Sequence, residues 1–183
     1  MNAAPVHPVV PHDAPLGDFS RCHLGIVSQL ESFSDLPELL GTAAQSRVVA
    51  QGTLDLFKDS VFAHHADEEK ELFPAVLRSA QRGEEADLVQ AMTQRLVKEH
   101  RSIEAQWKLL EPEVRAAARG KPATVDPAAV EQLVVDYLAH ACFEEEHFLP
   151  MAACILGRNM NHVAALDMAL HLRHAVPAIP AYI

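Results

Sequence analysis

The chain has 183 residues, 49% hydrophobic and 22% charged, which suits one domain with an ordinary buried core. Lys and Arg total 15 against 25 Asp and Glu, and the net charge of −10 argues against the basic face that a nucleic acid or an anionic membrane would need. Cys22, Cys142 and Cys154 form no C-x-x-C pair and leave one odd, which argues against a disulfide scaffold. No apolar run approaches the roughly 18 residues of a membrane span. With Arg21 as the first cation and no apolar leader behind it, a reducing cytoplasm is the expected compartment. Histidine is the anomaly, at 11 residues.

Residues 1–17 carry Pro5, Pro8, Pro11 and Pro15 and read as an extended, Pro-rich arm. A first helix is expected over about 18–32, broken by Ser34-Asp35-Leu36-Pro37. A second runs from about 42 to 82, in one piece or two, and ends near Gly83. The third spans about 85–119, with Gly120-Lys121-Pro122 as its stop. Asp126 suits an N-cap before Pro127 for a fourth helix, which reaches about 156 with Gly157 as C-cap. A fifth helix over 160–174 is apolar on a broad face, so it is expected to pack on the rest of the chain or on a second copy in a homodimer. Strand patterns are nearly absent. The fold class is therefore all-α: an antiparallel up-down four-helix bundle over 18–156, preceded by the arm and followed by a C-terminal helix and tail at 157–183.

The chain repeats itself. His64-His65-Ala66-Asp67-Glu68-Glu69-Lys70-Glu71-Leu72-Phe73-Pro74 aligns without gaps on His140-Ala141-Cys142-Phe143-Glu144-Glu145-Glu146-His147-Phe148-Leu149-Pro150. Both read H-x-x-x-E-E-x-x, then two large apolar residues, then Pro. His23 precedes His64 by 41 residues and His100 precedes His140 by 40. Two helical hairpins follow, each with one lone His and one His-x-x-x-Glu.

Residues i and i+4 stack on one helix face, so each pair aims an imidazole and a carboxylate at one point. Phe57, Val61, Leu133 and Tyr137 extend the same faces as apolar positions, and the third helix adds His100, Ile103, Glu104, Trp107 and Leu110. Burying Glu68, Glu104 and Glu144 together costs several kcal/mol per charge unless a cation compensates. Imidazole with carboxylate suits iron, manganese or zinc, and the lack of thiolates at these positions excludes a Cys-rich structural zinc site.

These residues resemble the hemerythrin-like (HHE cation-binding) domain family, over about 18–156. The resemblance implies two non-haem irons, oxo- or hydroxo-bridged, with zinc or manganese as substitutes. The ligands it implies are His23, His64, Glu68, His100, His140 and Glu144, the two glutamates bridging. Oxygen-carrying members have a His one turn after the first ligand of the third helix. Glu104 stands at that place, and it is included in the expected ligand set. An anionic ligand stabilises ferric iron, so Glu104 in that role points to sensing of O2 or NO, redox chemistry or iron handling over reversible oxygen transport. The alternatives are a di-iron enzyme (peroxide or NO detoxification, or iron donation to cluster repair) and an interaction module with a structural metal. With only residues 157–183 following the bundle, no fused signalling output is expected.

The remaining candidates read more plainly. Glu69 and Glu145 lie about 100° round the helix from their neighbours, as solvated or supporting residues, and His65 is expected off the inward face. His147 is expected to support the site or to pack. Trp107 reads as core, Pro74 and Pro150 as helix kinks, and Cys22 and Cys142 as filler thiols. His7, His12, His162, His171 and His174 are not expected to bind metal.

Overall fold

The structure, a computed structural model, describes residues 17–39 and 42–158, and all its regular elements there are helical. They are α1 (Gly17–Ser34), the single turn α2 (Leu36–Leu39), α3 (43–79), α4 (Glu84–Ala118) and α5 (127–156). The arm before Gly17, the helix expected over 160–174, and His7, His12, His162, His171 and His174 lie outside the described residues. No helix among the described residues is long and apolar enough to cross a membrane.

The punctuation of the sequence is visible at the helix ends. Gly83 takes φ +103° before α4, a backbone state open to glycine at little cost. Gly120 takes φ +64° after it, where the amide of Lys121 donates to the Ala116 carbonyl and that of Gly120 to Ala117. Asp126 caps α5 by accepting the Ala128 amide at 3.1 Å, and Pro127 follows at the first turn. Gly157 is the C-cap of α5 as expected, its amide donating to the Ala153 carbonyl, and it stays right-handed at φ −60°.

α3 runs unbroken from 43 to 79, but it is not uniform. At Phe57–Val61 and again at Glu68–Leu72 it widens into a π-turn, in which Phe62 donates to Phe57 and Phe73 to Glu68, five residues back. α5 does the same at Glu144–Phe148, with Leu149 donating to Glu144. The π-turns at Glu68 and Glu144 occupy equivalent places in the two repeats, each just before a proline. Pro74 and Pro150 lack an amide and crowd the carbonyl four residues back, and a widened turn relieves both problems. The expected disturbance thus falls upstream of each proline, at the glutamates themselves.

α1 packs against α3 and α5, and α4 packs against α3 and α5, closing a ring of four helices. Two apolar clusters fill it. One holds Ile26, Leu30, Phe33, Phe57, Trp107, Leu110, Leu133 and Tyr137; the other holds Phe19, Leu72, Phe73, Leu96, Phe148 and Ile155. α1 and α4 run from the second cluster towards the first, while α3 and α5 run the opposite way. Trp107 is core as expected, stacked on Phe57 at 3.9 Å with an interplanar angle of 1°. Between the two clusters, every long helix places histidine or glutamate inside.

Candidate metal centre

His23 on α1, His64, His65 and Glu68 on α3, His100 on α4, and His140 and Glu144 on α5 are all buried, none more than 2% exposed. The Nε2 atoms of His23 and His64 face one another at 2.6 Å. His23 Nε2 also lies 2.8 Å from Glu144 Oε2, and His64 Nε2 lies 3.5 Å from Glu68 Oε1. On the other side, His100 Nε2 is 3.3 Å from Glu68 Oε2 and His140 Nε2 is 3.6 Å from Glu144 Oε2. Ligand atoms of His23, His64, Glu68 and Glu144 all lie within 4.8 Å of one another, and so do those of Glu68, His100, His140 and Glu144. Both glutamates belong to both groups.

Behind the imidazoles stands a second set of carboxylates. His23 Nδ1 donates to Glu145 Oε1 at 2.8 Å and His100 Nδ1 to Glu69 Oε1 at 2.8 Å. His140 Nδ1 pairs with Glu99 Oε2 at 3.2 Å, and His65 Nδ1 with Glu104 Oε1 at 3.3 Å. A carboxylate on Nδ1 fixes the tautomer and turns the Nε2 lone pair inward, the arrangement that supports a metal-binding imidazole. Glu69 and Glu145 therefore stand in the supporting role that was one of their two expected readings.

Electrostatics separates the two central glutamates. Burial, reinforced by Glu144, drives Glu68 well above the usual carboxylate range. Burial also opposes charge on Glu144, but His140 and His23 outweigh it and hold its pKa at about 2. His23 answers in kind: burial pulls its pKa down, yet Glu144 and Glu145 raise it to about 10. Burial pushes the neighbouring Cys22 thiol up to about 12, with Glu68 and Glu144 adding to the effect, so it stays protonated and unreactive. Cys142 and Cys154 are exposed and free.

Of the seven expected ligands, six meet in this layer. Glu104 does not: its side chain is 19% exposed, held at 3.3 Å by Arg101, and separated from the centre by the His65 ring. His65 itself was expected off the inward face and is instead 1% exposed. Consecutive residues on a helix point about 100° apart, and the interior here is wide enough to receive both. His64 turns to α1, with its ring 4.5 Å from that of His23; His65 turns to α4, with its ring 3.9 Å from that of His100. The visible sign was the break in the repeat, where His65 aligns with Ala141. Glu99, also missed, had no such sign. His147 is exposed with its ring 5.2 Å from Phe143, so it neither supports the site nor packs inside.

The donor set fits a cation. His65, His100 and His140 each bury an Nε2 with no hydrogen-bond partner, and Glu68 buries both oxygens in that state. Each such atom costs about 1–3 kcal/mol if nothing binds it. A family model described as the hemerythrin HHE cation binding domain matches residues 14–152. The chain belongs to the hemerythrin HHE cation-binding domain family. No match emerges among curated proteins or among solved structures.

Proposed function

We propose that this protein is a non-haem di-iron protein whose iron pair meets a small ligand such as O2, NO or peroxide, in sensing, redox chemistry or iron handling. The observation that carries the reading is the sharing of Glu68 and Glu144 between two groups of four ligand atoms. His23 and His64 would hold one ion, His100 and His140 the other, with the two glutamates between them. Imidazole and carboxylate without thiolate suit iron, with zinc or manganese as substitutes. The closed ring of helices, with α1 and α4 opposed in sense to α3 and α5, supports an antiparallel up-down four-helix bundle as the frame.

When bound, an iron pair supplies two adjacent one-electron centres. The residues of the chain do the rest. Phe19, Phe73 and Tyr137 lie against His64, His100 and His140, with rings 5.6–6.0 Å apart, and restrict water around the layer. A pocket of about 350 Å³ between α4 and α5 is lined by Arg95, Lys98, Glu99, Ser102, Asp136 and His140, on the outer side of the layer. It admits a molecule of a few atoms. The position of Glu104 bears on the choice between sensing and carriage: set behind His65, it adds no anionic donor, so the charge argument against reversible oxygen transport loses its footing.

Metal analysis with an optical spectrum, on protein isolated without added metal, tests the reading. Two irons per chain with near-ultraviolet charge-transfer absorption are expected. One zinc per chain, with no such absorption after iron loading, contradicts it.

A further inference from the structure

We infer that His65 Nε2 is a ligand to the ion on the His100 and His140 side, with Glu104 as the carboxylate that positions its ring. The inference rests on the two-ion reading above and adds an imidazole that the repeat does not contain. Ligand atoms of His65, His100 and His140 lie within 4.8 Å of one another, so this trio forms a third candidate group beside the two that share the glutamates.

The His65 ring is packed against both proposed partners, and it must turn out of its stack on His100 for the two in-plane lone pairs to meet at one ion. His65 stacks on His100 with an interplanar angle of 6° and meets His140 edge-on, at 5.7 Å and 77°. Its Nδ1 proton goes outward to Glu104, which leaves the Nε2 lone pair inward, buried and without a hydrogen-bond partner. Glu104 is held in turn. Arg101 contacts it at 3.3 and 3.4 Å and also pairs with Glu69, the carboxylate behind His100. One guanidinium thus ties together the two carboxylates that hold the two stacked rings. A histidine serving only to fill space would gain nothing from an orphaned nitrogen facing two others. Apolar filler was available, as Ala141 shows at the equivalent place.

The inference makes the two ion positions unequal, with three imidazoles on one and two on the other. Titration of Co(II) into the metal-free full-length chain, followed by its visible d–d absorption, separates them. The wild type is expected to take two equivalents. His65→Ala is expected to keep one and to weaken the other by 100-fold or more, with an altered band and unchanged helix content by circular dichroism. Added imidazole should restore the second equivalent, which a purely structural role would not allow. Glu104→Gln should weaken the same equivalent by about 10-fold, in line with loss of a carboxylate behind a ligand, and it tests the inference should His65→Ala fail to fold. Two equivalents in His65→Ala, with wild-type affinity and spectrum, overturn the inference and leave the two-ion reading standing. A wild type that binds no cobalt overturns both.

Discussion

The two halves of the molecule are built to one plan, and the plan is clearest in the contacts between them. The lone His23 of the first half is backed by Glu145 of the second at 2.8 Å, and the lone His100 of the second by Glu69 of the first at 2.8 Å. The i,i+4 pairs match as well, at 3.5 Å for His64 and Glu68 and 3.6 Å for His140 and Glu144. Even the π-turns begin on the equivalent glutamates. Yet the halves diverge where charge is decided. Glu68 is pushed up and Glu144 held down, while His23 is raised and His100 lowered by burial. Duplication supplies the cage, while the charge split follows from which histidines crowd Glu144 and how deeply Glu68 is buried.

The largest expected effect strips the metal and tests that charge split. A site occupied at a thousand times its dissociation constant stabilises by about 4 kcal/mol, so chelation should lower the melting temperature by roughly 10 °C. In the metal-free protein Glu68→Gln should then change little, because burial already favours the neutral carboxyl. Glu144→Gln should destabilise, because it removes the anion that His23 and His140 face. Thermal melts of the two variants giving equal shifts would show that the halves are electrostatically alike after all.

The next effect is the pH dependence of the metal-free protein. His23 has a folded pKa of about 10, above its ordinary 6.5, because Glu144, Glu145 and Glu68 surround it. The stability it contributes is complete below pH 6.5 and is lost as pH rises towards 10. His100, lowered by burial, acts in the opposite sense: its contribution is present above pH 6.5 and is lost on acidification. Melts of the metal-free chain across this range should show an alkaline decline that His23→Gln abolishes. A decline that survives in His23→Gln would assign it elsewhere.

How much of this was written in the sequence follows from the same comparison. The repeat, read at a helical period, exposed six buried donors, among them both glutamates shared between the ligand groups, because identity at matched positions needs no knowledge of packing. Helix ends were legible from Gly83, Gly120, Asp126 and Pro127, whose backbone preferences are local. The failures lie where one helix face was treated as a line. His65, expected off the inward face, is buried because the interior between four helices accepts two neighbouring residues, a fact about helix spacing that no single-helix pattern contains. The π-turns were hidden for a related reason: they reflect a compromise between proline and the packing around Glu68 and Glu144.

Smaller changes are expected from the carboxylates behind the ring nitrogens. Glu145→Gln and Glu69→Gln occupy equivalent places, and each should weaken metal binding by about 10-fold, within the range found when a supporting carboxylate is lost. Glu69→Gln should be the more damaging, because it also releases Arg101 from the pair it makes with Glu104. Metal titrations that rank the two in the opposite order would remove Arg101 from the account.

The smallest effect separates frame from site. Asp126 caps α5 through the Ala128 amide, 14 residues before His140 in the same helix. Asp126→Ala leaves an amide of the first turn without its side-chain acceptor and should cost about 1 kcal/mol, or roughly 2–4 °C in melting temperature. The helix beyond its first turn is held by Val130, Leu133 and Tyr137 in the core, so His140 and Glu144 should keep their places. Metal stoichiometry should therefore equal that of the wild type while the melting temperature falls in holo and metal-free protein alike. A loss of metal in Asp126→Ala would mean that the donor layer depends on the whole length of α5, and that the two halves are coupled through their helix ends as well as through their glutamates.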